Sequence, residues 1–409
     1  MRINSLFAQP KIENNTCETR QKKMSSYHYN IRFKYIPMRY ALLLLMCCSA
    51  SFVISEEKKS GGTISGYVFG DYFYKLNGTS TTSGVTFTQY SNVKKTEQAF
   101  QLRRIYVYYD YVFHENISSQ LLVEGNDKTL IGGKIKYEET VDSVGEKITI
   151  DRELEEGKMS VYIKTAFLEW KELIPAGSVF LGMVPTPSWS IAEKIWNYRS
   201  IEKTILDYRG LGIGSDLGIS VKGKFDSEGI FHYAVMLGNG TGQKPENNKY
   251  KKYYVSLNVK PMKEFTVEGY FDFEPNEHQK SKATRKLFGA YQTSGFTVGI
   301  EAVQQIQRKA DVNGDDVKPF GIALFAWFSV PNVEQCNAFF RFDTFYPNTR
   351  RVNAGYTEHY ITFGIDYMPI PNIHLMPNIW INSFTEKSSV TSKKESDIVA
   401  RMTFFYVYN

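Results

Sequence analysis

Eight basic residues carry most of the chemistry this chain can offer. Arg104, Lys164, Lys222 and Arg341 lie in stretches that alternate apolar and polar residues, each in the polar phase. Lys194, Arg199, Lys203 and Arg209 lie in one long insert between two such stretches. Lysines and arginines ringed around a narrow, water-filled constriction favour anions, because low-dielectric walls focus the field of fixed charges. The competing role for each is an ion pair with a carboxylate of the same phase. Asp110, Asp216 and Asp343 are candidates, and Glu268, Asp272 and Glu301 share that phase. Catalytic chemistry finds no comparable set. The sequence contains neither G-x-S-x-G nor H-E-x-x-H, so no enzyme activity and no cofactor are expected. Asp311, Asn313 and Asp315 open like a calcium loop. However, Asp316 stands where that loop needs glycine, and Ile322 where it needs glutamate, so a solvated loop without metal is expected.

The elements that position these residues read as strands. Phe231, Tyr233, Val235 and Leu237 alternate with His232, Ala234, Met236 and Gly238, and Leu217, Ile219 and Val221 with Asp216, Gly218, Ser220 and Lys222. A period of two over eight to twelve residues marks a strand with one apolar and one polar face. Sixteen such stretches run from Gly62 to Tyr408, joined by long and short connections in turn. "FDSEG", "KPMKE" and "QTSG" are short turns, and the long connections are rich in Gly, Ser, Thr and Lys. A sandwich has no reason to keep its long loops at one end. A closed transmembrane barrel does, because its even number of antiparallel strands passes to and fro across the bilayer and closure leaves no unpaired edge in lipid. Residues 56–409 allow about 22 residues per strand, enough for a crossing of about 9–11 residues and its share of the connections. The fold expected is an all-β transmembrane barrel of about sixteen strands.

Aromatic content supports this. Phe, Tyr and Trp make up 15% of the chain. Rings such as Tyr109, Tyr111, Tyr253, Phe340, Tyr406 and Tyr408 suit a lipid–water belt. Tyr106, Tyr254 and Phe339 are expected there too, with the packing of a soluble β-protein as the alternative.

The insert follows "VFLGMVP". Pro185 and Pro187 end the fifth strand, since proline cannot continue a ladder. Ser190 and Glu193 have capping-box spacing. Ile191, Ile195 and Trp196 then share one helical face, as do Ile201, Ile205 and Tyr208, with the basic residues off those faces. Sixteen strands enclose a lumen too wide for side chains to fill. The insert, as the third long loop, is expected to fold inward with its apolar side on the wall, using room left by Gly212, Gly214 and Gly218. The alternative is an external lid.

Residues 38–55 read as a secretory signal peptide: Met38 and Arg39, an apolar run from Ala41 to Cys48, and a Val53-Ile54-Ser55 exit before Glu56. Residues 1–37 read as an extension upstream of the true start. A lipoprotein cysteine at Cys47 or Cys48 is the rival, but Met46 is a poor fit before it. Residues 1–55 hold eight Lys/Arg and two Asp/Glu, which leaves 41 basic and 41 acidic residues beyond them. Residues 56–409, the barrel domain, are therefore near neutral, and nucleic acid is not an expected partner. Only Cys336 lies beyond the leader, so no disulfide framework is expected. Lys244, Lys249, Lys251, Lys252, Arg308, Lys309, Arg350, Arg351, Lys393 and Lys394 fall near the long-loop rim, where they suit outer-membrane lipid and lipopolysaccharide phosphates or plain solvation.

"FQLRRIYVYYDYVFHENISSQLLVEGN", "FLGMVPTPSW", "YRGLGIGSDLGISVKGKF" and "HYAVMLGNGTG" together resemble the phosphate-selective porin O and P family of Gram-negative outer membranes. The resemblance spans roughly residues 98 to 242. It implies a trimeric sixteen-stranded barrel with an inward third loop, passing small hydrophilic solutes or anions such as phosphate over pore lysines and arginines. The neutral barrel domain and inward acids fit phosphate specificity poorly. Two other classes compete. An adhesin or anchor would act through its external loops and needs no constriction. A lipid-hydrolysing barrel would need a Ser–His pair on neighbouring strands.

Overall fold

The computed structural model describes residues 60–79, 88–126, 134–140, 147–153, 160–311, 313–391 and 393–408. The extension (1–37), the signal segment (38–55) and the expected start at Glu56 lie outside them.

The strands are β1 (Gly61–Asn77), β2 (Gln98–His114), β3 (Ile117–Asn126), β4 (Lys134–Thr140), β5 (Lys147–Glu153), β6 (Ser160–Ile174), β7 (Gly177–Pro185), β8 (Ser215–Lys224) and β9 (Phe231–Gly238). They continue with β10 (Lys252–Met262), β11 (Phe265–Pro275), β12 (Ser281–Gln292), β13 (Phe296–Arg308), β14 (Phe320–Ser329), β15 (Cys336–Tyr346), β16 (Tyr356–Ile370), β17 (Ile373–Glu386) and β18 (Asp397–Tyr408). Sixteen of them form one closed antiparallel barrel, each beside its neighbour in sequence, with β3 against β6 and β1 against β18. β4 and β5 pair only with each other, inside the second long connection, where the sequence reading placed no strand.

The burial pattern is inverted relative to a soluble protein. Along β10, Tyr253, Val255 and Leu257 are exposed outward, while Tyr254, Ser256 and Asn258 are buried inward. Opposite them on β11, Asp272, Tyr270 and Glu268 also point inward, and Phe271 and Phe273 point out. Leu237, Leu287, Ile300, Leu324, Phe363 and Leu375 extend the exposed apolar band around the barrel. Water offers no reason for that arrangement. A hydrocarbon exterior does, and there a midplane lysine or arginine costs about 2–4 kcal/mol. Exposed rings mark both ends of the band: Tyr253 and Phe273 near the long loops, and Phe231, Phe265, Tyr291 and Phe328 near the short turns. Tyr106, Tyr254 and Phe339 are not in these belts; they are buried on the inward face.

Two register shifts turn extra residues inward. β1 and β2 slip at Phe69/Gly70, so Arg103 and Arg104 both reach the interior. β3 and β6 slip at Leu122/Val123, which brings Lys164 to the same side as Thr165. The alternation of connection lengths has one exception: residues 276–280, between β11 and β12, form a turn whose length falls within the range of those at the other end.

Candidate functional site

Residues 186–214 join β7 to β8. Two short helical pieces form: α1 (Ser190–Trp196) and the single turn α2 (Ile205–Tyr208). α1 starts at Ser190, but the expected capping box is not made. Trp189 occupies the N-cap without a side-chain bond, and Glu193 reaches forward to Arg199 at 3.1 Å. Asn197, at φ 63°, takes the left-handed conformation that ends the helix.

The apolar side of the insert divides between two clusters. Ala192, Ile195, Trp196 and Ile201 pack on Phe288 and Ala290 of β12, Phe325 of β14 and Phe339 of β15. Ile205, Leu206 and Leu211 pack on Tyr254, Tyr270, Val303, Ala323 and Phe345. Full burial of one such aliphatic side chain contributes about 1.5–3 kcal/mol. Inward polar residues then satisfy the insert's backbone carbonyls. Arg103 donates to Ser200 at 2.8 Å, Lys286 to Ser188 at 2.7 Å, Gln305 to Leu211 at 2.9 Å, and Arg341 to Lys203. Tyr198 donates to Asp366 at 3.2 Å, and the Trp380 indole to Glu202 at 3.3 Å. A segment leaving β7 meets inward residues of β2, β12, β13, β15, β16 and β17 only by crossing the interior. Gly212 suits its place: a Cβ there would lie 2.1 Å from Leu206 Cδ2. Gly212 and Gly214 precede β8 rather than lie on it, so only Gly218 of the three expected glycines belongs to the wall.

A second segment also turns inward. Tyr90, in the first long connection, is fully buried against Phe73 and Trp380. Lys75 donates to the carbonyls of Tyr90 at 3.0 Å and Val93 at 2.7 Å, and pairs with Asp397 at 2.7 Å. The sequence signal is sparse: Val85, Phe87, Tyr90 and Val93 are the apolar residues of an otherwise polar and Gly-containing connection.

Six of the eight candidate cations are ion-paired. Arg104 and Lys164 share Glu124, Arg199 holds Glu193, Lys203 holds Asp207, Arg209 holds Glu358 and Arg341 holds Asp343. Arg209 and Arg341 do not face open water: Arg341 is buried against the insert, and Arg209, within the insert, is buried between the rings of Tyr208 and Phe345. Lys194 and Lys222 have no ion-pair partner among the described residues. Lys194 is exposed on α1, and Lys222 lies 4.7 Å from the Phe180 ring centre. Of Asp110, Asp216 and Asp343, only Asp343 holds a cation; Glu268 and Asp272 hold Lys286 and Lys252 instead of the candidate cations. Asp216 instead accepts from Tyr254 at 2.7 Å and from Gly240 at 2.7 Å, and Asp110 accepts from Gln120 at 2.8 Å. Two of the insert's carboxyls, Glu193 and Asp207, differ in strength. Burial pushes Glu193 up, with Arg199 only partly offsetting it. Burial acts on Asp207 in the same sense, but Lys203 and Arg199 outweigh it and hold that carboxyl below the usual range.

Sequence reading missed Arg103, Lys286 and Arg401, which bond the insert's backbone as Arg341 does. Lys286 and Arg401 were legible as inward by alternation, whereas the bulge hid Arg103. Lys252, placed at the rim, points inward to Asp272 at 3.3 Å. Arg350 and Arg351 do lie in an exposed loop, beside Asp316 at 3.8 Å and Asp311 at 2.7 Å, respectively.

Two spaces remain around the insert. One of about 550 Å³ opens on the short-turn side, between Ser190 and Ile191 of α1 and the wall residues Lys171, Ser178, Lys222, His232 and Asn258. The other, about 110 Å³, separates Trp189, Glu193, Arg199 and Asp207 from Tyr67, Tyr106, Tyr108 and Lys164.

A closed barrel of sixteen antiparallel strands, apolar outside and polar inside, is the porin type of fold. No family model matches the chain, and no curated protein matches it in sequence. Solved structures do match. The anion-selective porin from Comamonas acidovorans aligns over 86% of this chain and all of its own, with a TM-score of 0.56 and 11% identity. The outer-membrane channel DcaP of Acinetobacter baumannii covers 87% at 0.56 and 10% identity. OmpT of Vibrio cholerae covers 87% at 0.54 and 12% identity. At such identities the likeness is one of fold, and none of these three singles out the phosphate-selective O and P family.

Proposed function

We propose that this chain is a Gram-negative outer-membrane porin, a channel for passive diffusion of small hydrophilic solutes. Residues 186–214 set its narrowest width. The observation that carries the proposal is the insert itself, bonded across the interior of a barrel whose exterior suits lipid. An adhesin or anchor gains nothing from such a segment. Export by the signal segment at 38–55 fits this location, as does a polar rim facing lipopolysaccharide. The fold likeness to an anion-selective porin and to an outer-membrane channel supports the class. A homotrimer is the assembly we propose, because a similar structure, that of Vibrio cholerae OmpT with TM-score 0.53 and 11% identity, is described as a trimer form.

Selectivity follows from the pairing. Most interior cations have their charge cancelled by a carboxylate within 4 Å, so the anion preference is mild and rests on Lys194 and Lys222. Phosphate is then one passing anion among several. Planar-bilayer recording of the purified barrel in a salt gradient tests this. Discrete conductance steps with a reversal potential slightly on the anion side are expected. A folded barrel that carries no current would end the channel reading.

A further inference from the structure

We infer that the 110 Å³ gap beside the insert is a binding site for neutral, hydroxyl-rich solutes of the saccharide class. The inference rests on the channel reading and names a solute for it. Tyr67, Tyr106 and Tyr108 form one wall of the gap. Their ring centroids are 4.6 Å apart for Tyr67–Tyr106, 6.2 Å for Tyr67–Tyr108 and 6.5 Å for Tyr106–Tyr108, which makes one continuous aromatic surface. Tyr106 is buried beneath the cluster, while Tyr67 and Tyr108 keep part of their surface open. The insert does not use this surface for its own packing, because its apolar side lies on Phe288, Phe325 and Phe339 at the far wall. Aromatic faces left wet inside a polar lumen suit a solute with flat C–H faces, as a pyranose ring has.

The opposite wall supplies the matching polarity. Arg199 is held by Glu193 at 3.1 Å and Lys203 by Asp207 at 2.8 Å, so neither sign of charge is in excess and a bare ion finds little net attraction. The paired groups keep spare hydrogen-bonding capacity. A guanidinium has five N–H donors and a carboxylate about four lone-pair sites, of which each pair uses a part. A polyol can donate to the carboxylate and accept from the guanidinium at once, and such charge-assisted bonds are the strong ones.

Current block by maltotriose in planar-bilayer recordings of the full barrel tests the site. Saturable, reversible block is expected. Tyr67→Ala and Tyr108→Ala should each raise the half-blocking concentration by about fivefold, the loss expected for one aromatic stack. Tyr108→Phe should restore it, since the face remains. Folding of each variant is checked by the migration of unheated protein on a detergent gel. A conducting barrel that maltotriose does not block, or that polyethylene glycol of equal size blocks as well, overturns the inference and leaves the channel intact. Stronger block by inorganic phosphate than by maltotriose overturns it in favour of an anion site. A folded barrel without conductance removes both readings.

Discussion

A buried cation held by a buried carboxylate and a cation open to water have opposite uses, although both are written Arg or Lys. Arg209 and Glu358 have fully buried side chains 2.6 Å apart. Arg209→Ala takes this cation away from the buried Glu358 carboxylate, at a cost of about 3–5 kcal/mol. A lower unfolding temperature of the barrel is expected, partly recovered in the Arg209→Ala/Glu358→Ala double variant; no recovery would mean that Glu358 is satisfied some other way. Lys194 and Lys222 belong to the other kind. Changing both to Glu should move the reversal potential toward cations with little effect on stability, and an unmoved potential would place the field elsewhere. The sequence made Arg104, Lys164, Lys222 and Arg341 legible as inward, because alternation fixes the face. It could not separate paired from open cations, because pairing depends on which strands are neighbours and where the insert lies. Asp343 beside Arg341 was legible as a candidate, while Glu358 against Arg209, 149 residues away, was not.

Strands place neighbouring residues in opposite solvents. Val235 and Ala234 are adjacent on β9, yet Val235 is 47% exposed in the apolar band and Ala234 lines the 550 Å³ interior space. Val235→Arg should cost about 2–4 kcal/mol near the midplane and impair insertion, whereas Ala234→Arg should insert normally and narrow the pore. The measurement is the yield of folded barrel in lipid vesicles, and equal yields would reverse or erase the assigned faces. Period-two alternation survives in each of the sixteen wall strands because one face meets lipid throughout, which is why they could be read. The β4–β5 hairpin alternates as well, with Ile135, Tyr137, Ile148 and Ile150 between polar residues. Its seven-residue strands, however, are shorter than the crossing of about 9–11 residues that marks a wall strand. The bulge at Arg103 shifts phase by one residue without changing composition. The two helical faces read from the insert correspond to two short pieces: Asn197, at φ 63°, ends the first and Thr204, in extended conformation, opens the second.

At the scale of the molecule, two inward segments divide the lumen. The insert packs on the side of β9 to β17, the first connection adds Tyr90 near the long-loop end, and spaces of about 110 Å³ and 550 Å³ are left toward β1, β2, β3 and β6 and toward β6 to β10, respectively. On the proposed channel reading, width beside the insert, more than net charge, decides what crosses. The test uses Lys194→Cys in a Cys336→Ser barrel, modified by a bulky thiol reagent during single-channel recording. The account predicts a stepwise fall in conductance on modification, and little change when the same reagent meets Lys393→Cys in an outer loop. Full modification of Lys194→Cys with conductance unaltered would contradict it, because the insert would then lie outside the conducting path.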